Sequence, residues 1–372
     1  MQRFIIKKRI LIDALSKVIG SVDKKQIHPI LSNCLIRLSK TGILTIIGSD
    51  LEVQVQVKKN IDVDLDQEIA LTLPAKKIYD FCRALGEEAT LNFTIEDRRV
   101  VLTTPESKLE LSSFDAAKFP QLSGDCREIM SIKINQRLLR QAIDSISYAM
   151  AIADIRYYLN GLLFQIEGQE LTLVATDGHR LACTNLTCSL MPGANQRLTA
   201  IVPRRAILEL SKLLEQVDEE VDLVFYPQLL AVQINELAFS CKLIEGKYPD
   251  YKRVLPKDLP YKIQLDRDQL RQGLGLIQPI LSSKDRGVLL TFSEKTVEIK
   301  GINNENEQVL VALPIQSGVS PALKIGLNIN YLSDFIHATK SKFFWISLQD
   351  DSKGVVLTYD GPGFYVVMPL RL

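Results

Sequence analysis

One amphipathic pattern recurs six times along this chain, and that recurrence limits the folds open to it more than any other feature. Residues at i, i+3, i+4 and i+7 share one face of a helix. Leu11, Ala14, Leu15 and Val18 form such a set, as do Ile78, Phe81, Cys82 and Leu85. So do Leu139, Ala142, Ile143 and Ile146, then Ile207, Leu210, Ser211 and Leu214. The last two sets are Leu270, Gly273, Leu274 and Ile277, weakened by its glycine, and Leu332, Phe335, Ile336 and Thr339. The starts are separated by 67, 61, 68, 63 and 62 residues. Six helices at such even spacing are the mark of a repeated unit.

The segments between the stripes alternate as strands do. Val53, Val55 and Val57 are interleaved with Gln54, Gln56 and Lys58, the pattern of a half-buried strand. The segment from Leu44 to Asp50 is answered by the one from Leu171 to Asp177, 127 residues later. Leu73-Pro74-Ala75 is answered by Val202-Pro203-Arg204, and Lys118-Phe119-Pro120 by Lys247-Tyr248-Pro249. The repeating unit is one helix plus three or four strands. Two units make a domain of near 125 residues, and three domains fill the 372 residues. The class is α+β, with domains expected at 1–124, 125–255 and 256–372. The boundaries fall in polar, turn-prone stretches near Gly124 and Pro256.

Composition excludes several function classes. Lys plus Arg number 45 and Asp plus Glu 44, a formal net charge of +1, which argues against holding nucleic acid by bulk charge. No stretch approaches the roughly 18 apolar residues of a membrane span. Basic residues interrupt the apolar part of the first ten residues, so export is not expected and a cytoplasmic location is. The six cysteines are scattered among apolar neighbours without a C-x-x-C pair, as small core residues are. The three histidines, His28, His179 and His337, have no zinc-ligand spacing, so neither a metal nor a cofactor is expected.

Opposite each stripe lie positions i−2 and i+5. In the second helix of each domain these are Lys76 and Arg83, then Arg205 and Lys212, then Asn330 and His337. In the first helices i−2 is Arg9, Arg137 and Asp268. A solvated helix face explains any one of these. Their recurrence equally fits a moderately basic stripe along the helices.

Catalytic motifs are mostly missing. There is no P-loop, no G-x-G-x-x-G, no H-E-x-x-H and no G-x-S-x-G. The dense polar cluster Thr176-Asp177-Gly178-His179-Arg180 permits an alternative: a cytoplasmic hydrolase with His179 as general base oriented by Asp177. A tight turn through Gly178 explains the same residues without chemistry. The end of the sequence, Tyr365 to Leu372, is an apolar strand and tail that must dock into its own domain or line a groove.

These motifs carry a specific resemblance. Asp154-Ile155-Arg156-Tyr157-Tyr158-Leu159-Asn160-Gly161, the segment from Ala175 to Ala182, the segment from Tyr248 to Pro256 and the terminal Met368-Pro369-Leu370-Arg371-Leu372 resemble bacterial DNA polymerase III beta subunits, the sliding clamps. The resemblance covers all 372 residues. It implies a non-enzymatic processivity factor of DNA replication, a head-to-tail homodimer ring of six similar domains around duplex DNA. Its implied partners are the clamp loader, the replicative polymerase and other clamp-binding proteins. Helix arithmetic agrees. Six helices of roughly 10 Å width enclose a hole of only about 9 Å, whereas twelve enclose about 28 Å, enough for a duplex of roughly 20 Å.

The resemblance also implies sites. Partner peptides would dock between the second and third domains, on Leu159, Thr176, Gly178, His179, Arg180 and Leu181. Pro249, Arg253, Val254, Val367, Met368, Pro369 and Leu370 complete that set. Lys25 and Arg205 are the implied DNA contacts, and the helix-face residues Lys76, Arg83, Arg137 and Lys212 are expected to join them. The dimer contact would pair Leu109 and Leu111 with Ile280 and Leu281, rimmed by Lys77.

Overall fold

The computed structural model describes residues 2–23, 28–63, 65–125, 127–191, 196–256, 258–282 and 286–370. Six α-helices lie among them: α1 (Lys8–Val18), α2 (Ala75–Ala84), α3 (Gln136–Ile146), α4 (Arg204–Leu213), α5 (Arg267–Ile277) and α6 (Ile329–Ala338). Each coincides with one expected stripe. Leu11, Ala14, Leu15 and Val18 are at most 1% exposed, and Leu270, Gly273, Leu274 and Ile277 are likewise buried. A Cβ on Gly273 would come within 3.1 Å of Val311 Cγ1, so the residue that weakens the α5 stripe sits at a close approach.

Every helix is entered directly from a strand. Gln2–Lys7 leads into α1, Ile69–Pro74 into α2, Met130–Asn135 into α3, Arg197–Pro203 into α4, Tyr261–Asp266 into α5 and Lys324–Asn328 into α6. The switch is chemically marked. Asp266 accepts the amides of Asp268 and Gln269, and Asn328 accepts that of Asn330, satisfying first-turn N–H groups. At α2, Pro74 stands at the cap, where a missing N–H costs nothing.

The chain forms two compact units. One comprises Met1–Arg137, Ser189–Asn195 and Leu208–Leu243; the other comprises Leu138–Cys188, Gln196–Ile207 and Ile244–Leu372. The first holds a four-stranded sheet in the order Gln2–Lys7, Thr90–Glu96, Arg99–Thr103, Lys108–Ser112. Its nine-stranded sheet runs Ser189–Leu190, Met130–Asn135, Glu220–Phe225, Leu229–Ile234, Leu237–Lys242, Val53–Asn60, Ile43–Ser49, Asn33–Leu38, Ile69–Pro74. In the second unit the nine-stranded sheet runs Arg197–Pro203, Gly161–Glu167, Glu170–Thr176, Arg180–Thr187, Phe364–Val367, Val355–Tyr359, Phe343–Leu348, Tyr261–Asp266, Ser317–Val319. Its four-stranded sheet runs Gln308–Pro314, Thr296–Ile302, Gly287–Phe292, Lys324–Asn328.

Apart from the short end strands, these sheets are built of four-strand blocks, one for each helix. Each nine-stranded sheet joins two blocks edge to edge. Val53–Asn60 pairs with Leu237–Lys242, Val53 opposite Cys241 and Val57 opposite Leu237. Arg180–Thr187 pairs with Phe364–Val367, Arg180 opposite Val367 and Cys183 opposite Phe364. The two remaining blocks are the four-stranded sheets, which end at Lys108–Ser112 and Gln308–Pro314.

Leu111, expected at a contact between copies, is 7% exposed within its own block. It stands opposite Val100, and directly paired residues share a sheet face, so its side chain joins the same core as Val100. Leu109, opposite the buried Leu102, turns the same way but is only half-buried. Ile280 and Leu281, in and just after a short 3-10 turn that follows α5, are half-buried too, and Lys77 is exposed. Among the described residues, no helix is long and apolar enough to cross a membrane.

Candidate functional site

A cavity of about 230 Å³ opens in the second unit. Four chain segments build it. The 3-10 turn Tyr157–Leu159 supplies Tyr158 and Leu159, the turn between Glu170–Thr176 and Arg180–Thr187 supplies Thr176 to Leu181, and the stretch from Pro249 to Val254 forms another wall. Val366 and Met368, at the end of the last strand, close it. Its floor belongs to a packed cluster that includes Leu181, Tyr248, Tyr251 and Val366, with Tyr158 resting on it. An apolar side chain entering such a well leaves water, a gain of about 1.5–3 kcal/mol for a Leu or Phe.

The polar turn is held from within. Asp177 Oδ1 accepts the amides of His179 at 2.9 Å and Arg180 at 3.0 Å, and its Oδ2 accepts Arg180 Nε at 3.0 Å. Thr176 Oγ1 donates to the Arg180 carbonyl at 2.6 Å, and Gly178 sits at φ +89°, where a side chain is strained. Asp177 therefore shapes the backbone and does not orient the His179 ring. The same turn recurs 127 residues earlier, where Asp50 Oδ1 accepts the amides of Glu52 at 2.9 Å and Val53 at 2.7 Å. No histidine stands in that copy. The cluster is a structural turn that walls a cavity, and the Asp177 carboxylate is engaged by backbone amides and Arg180 rather than by the imidazole, as the hydrolase alternative would require.

Two arginines frame the well. Arg156 donates from Nε to Asp154 Oδ1 at 3.0 Å and from Nη2 to Oδ2 at 2.8 Å, a bidentate pair that holds the Asp154 carboxyl at about 2. The same guanidinium reaches the Asp177 carbonyl at 3.1 Å and lies against Gly178, where a Cβ would come within 2.8 Å of Nη1. Arg180 binds Asp177, Asp334 on α6 and the Tyr148 carbonyl, with the Tyr331 ring centroid 4.4 Å away. With its charges paired internally, the cavity suits a largely neutral, apolar ligand with a few polar atoms. Burial raises the Tyr251 hydroxyl to about 12, so it stays a neutral group at physiological pH.

Of the thirteen residues expected to bind peptide, nine line the cavity: Leu159, Thr176, Gly178, His179, Arg180, Leu181, Pro249, Val254 and Met368. Four do not. Val367 is 0% exposed and faces away, because successive strand residues point to opposite sides and Val366 takes the cavity side. Arg253 points to solvent, paired with Asp250 at 2.9 Å. Pro369 and Leu370 run past the rim, and the Leu370 amide bonds the Gly326 carbonyl at 2.8 Å. Arg156, Tyr158, Asp250, Tyr251 and Val366 line the cavity without having been expected. The first four lie inside motifs that signalled the resemblance, which was the signal available for finding them.

The helix-face cations are spread over α2, α3 and α4. Lys76, Arg83, Arg205 and Lys212 are exposed. Arg83 lies 5.8 Å from the Tyr79 ring centroid. Lys212 pairs with Glu209 at 2.8 Å, and the half-buried Arg137 with Asp218 at 2.6 Å. Such surface pairs are worth about 0–1 kcal/mol, so they give way to a stronger anion. Lys25 lies outside the described residues. Among the described residues no group of three or more His, Cys, Asp or Glu side chains could hold a metal.

Family models match along almost the whole length. The N-terminal, central and C-terminal domains of the DNA polymerase III beta subunit match residues 2–123, 133–250 and 252–371. A beta sliding clamp from Pseudomonas aeruginosa is 34% identical over 99% of this chain and 100% of its own length. One from Escherichia coli K12 is 33% identical over the full length of both. A crystal structure of a DNA polymerase sliding clamp from Pseudomonas aeruginosa superposes with a TM-score of 0.93 at 33% identity, covering 100% of both chains.

Proposed function

The chain belongs to the DNA polymerase III beta subunit family, and from that premise we propose that it is a sliding clamp. Two copies join head to tail into a ring around duplex DNA and tether the replicative polymerase and other replication and repair proteins. The chain is a non-catalytic tether. The ring keeps the polymerase on its template by enclosure, so its contacts with phosphates can be weak and exchangeable. A net charge of +1 is compatible with this, because enclosure does the work of grip.

The observation that carries this reading is the order of the strands. Within one chain, two edge-to-edge junctions between blocks are already closed. The blocks left over end at Lys108–Ser112 and Gln308–Pro314. Joining one copy's Lys108–Ser112 to the other's Gln308–Pro314 makes a third junction of the same kind, and doing so twice closes the ring. Two exposed edges are thereby removed. Leu109, Ile280, Leu281 and Lys77 supply side chains beside this junction. Leu310, 58% exposed on its edge strand, adds apolar surface there.

The three domains of the clamp are 1–124, 125–255 and 256–372, in a cytoplasmic protein. Its partners, the clamp loader among them, dock a short peptide in the cavity of about 230 Å³. Lys76, Arg83, Arg137, Arg205 and Lys212 contact the DNA, with Lys25 a further contact that the family resemblance implies. Light scattering tests the assembly: one chain is 41.8 kDa, so the ring has twice that mass. A species that stays at 41.8 kDa at micromolar concentration contradicts it.

A further inference from the structure

In each of the three repeats the strand that feeds the first helix stands at or next to the end of a sheet. These strands are Gln2–Lys7, Met130–Asn135 and Tyr261–Asp266. In the second and third repeats a short strand covers the outer edge. Ser189–Leu190 pairs with Met130–Asn135, and the Met191 amide bonds the Ser131 carbonyl at 3.0 Å. Ser317–Val319 pairs with Tyr261–Asp266, and the Gln316 amide bonds the Gln264 carbonyl at 2.9 Å. In the first repeat Gln2–Lys7 is itself the end strand of its sheet among the described residues.

The direction of its backbone groups follows from the register. The Lys8 amide bonds the Ala89 carbonyl at 2.9 Å, and the register places these two residues opposite each other. Antiparallel pairs alternate between hydrogen-bonded and non-hydrogen-bonded. Phe4 and Ile6 therefore bond to Thr90–Glu96, while the N–H and C=O groups of Ile5 and Lys7 point to the outer edge. Gln264 is the residue equivalent to Ile5, and its carbonyl is satisfied by a covering strand. The exposed side chains of Gln2–Lys7 read Arg3, Ile5, Lys7, with Ile5 57% exposed between two cations.

We propose that the outer edge of Gln2–Lys7 is a second docking surface, which takes up an extended protein segment with acidic residues alternating with apolar ones. The segment adds one strand to the sheet, as Ser189–Leu190 and Ser317–Val319 do in the other repeats. Main-chain bonds to Ile5 and Lys7 supply affinity. Carboxylates on the outer face of the segment lie beside Arg3 and Lys7, and its apolar residues, on the opposite face, extend the buried row of Phe4 and Ile6; together these supply selectivity.

The test uses the full chain and a fluorescein-labelled heptapeptide alternating Asp and Val, with a Lys–Val peptide as control. Fluorescence anisotropy should show saturable binding of the acidic peptide alone. Affinity should fall roughly tenfold in Ile5→Pro, which removes an outward N–H yet suits an edge strand, and by a similar factor in Arg3→Glu combined with Lys7→Glu. It should be unchanged in His179→Ala, which alters the cavity. If circular dichroism shows that Ile5→Pro does not fold, the charge-reversed variant decides. The proposal is overturned by no binding, by equal binding of the Lys–Val peptide, by affinity indifferent to both edge variants, or by loss of binding in His179→Ala. Self-association abolished by the edge variants would assign the edge to a second copy and overturn it as well.

Discussion

The Arg180 guanidinium, which walls the cavity, donates to the carboxylate of Asp334 on α6 and to the carbonyl of Tyr148. Its side chain is only 10% exposed. Arg180→Ala leaves the part-buried Tyr148 carbonyl without this partner and Asp334 without its counter-charge. Because Asp334 is 42% exposed, water takes up part of that loss, and the expected cost is about 2 kcal/mol. Arg180→Lys should recover less than half of it, since an ammonium cannot serve three acceptors in a fixed plane. Chemical denaturation of the two variants checks both statements. Equal stability of wild type and Arg180→Ala would show that the network carries no weight.

Truncation after Val367 removes Met368, a cavity wall, and the amide that bonds the His179 carbonyl at 2.9 Å. It also removes the Leu370 amide that bonds Gly326. Peptide binding should be lost while the mass of the assembly stays unchanged, because the junction strands lie elsewhere. Dissociation on truncation would mean that the tail supports the contact between copies.

On Gln308–Pro314 the register and the Asn303–Glu307 bond turn the backbone N–H of Leu310 toward the open edge. Leu310→Pro deletes that donor and an exposed apolar side chain without touching the bonds to Thr296–Ile302. The dimer should weaken by at least tenfold, about 1.4 kcal/mol, with circular dichroism unchanged. Analytical ultracentrifugation measures it. An unaffected dimer would place the junction on another edge.

Alkaline pH offers a test of the second unit. Burial raises the hydroxyls of Tyr148, Tyr248 and Tyr365, and raises that of Tyr251 to about 12. An unfolded tyrosine ionises near 10, so above that pH the unfolded chain releases protons that the folded chain keeps. The stabilisation is fully present below pH 10 and is lost as pH rises through the folded values. Stability should be flat with respect to these groups at neutral pH and fall steeply above about 10. Tyrosinate absorbance should rise together with loss of structure. Full ionisation of all tyrosines in the folded protein would contradict the burial.

The helices were legible in the sequence because each has one apolar face, and period alone identifies it. Val53, Val55 and Val57 were legible for the same reason with period two. The joining of Val53–Asn60 to Leu237–Lys242 was not, since edge pairing depends on two distant strands meeting in register. The choice between Val366 and Val367 also lay beyond the pattern. Phe364 to Val367 are all apolar, with Val366 and Val367 both buried, so no alternation marks the side that faces the cavity. The Asp177–His179 pair invited a catalytic reading because sequence adjacency does not reveal that the carboxylate is spent on backbone amides.

Enclosure of DNA is tested most directly by retention. The protein is loaded by a clamp loader onto nicked circular DNA, freed of unbound protein by gel filtration, and half of the sample is linearised. A ring should stay with the circles and slide off the linear molecules within minutes, at the same ionic strength. Equal loss from circular and linear DNA would contradict topological tethering.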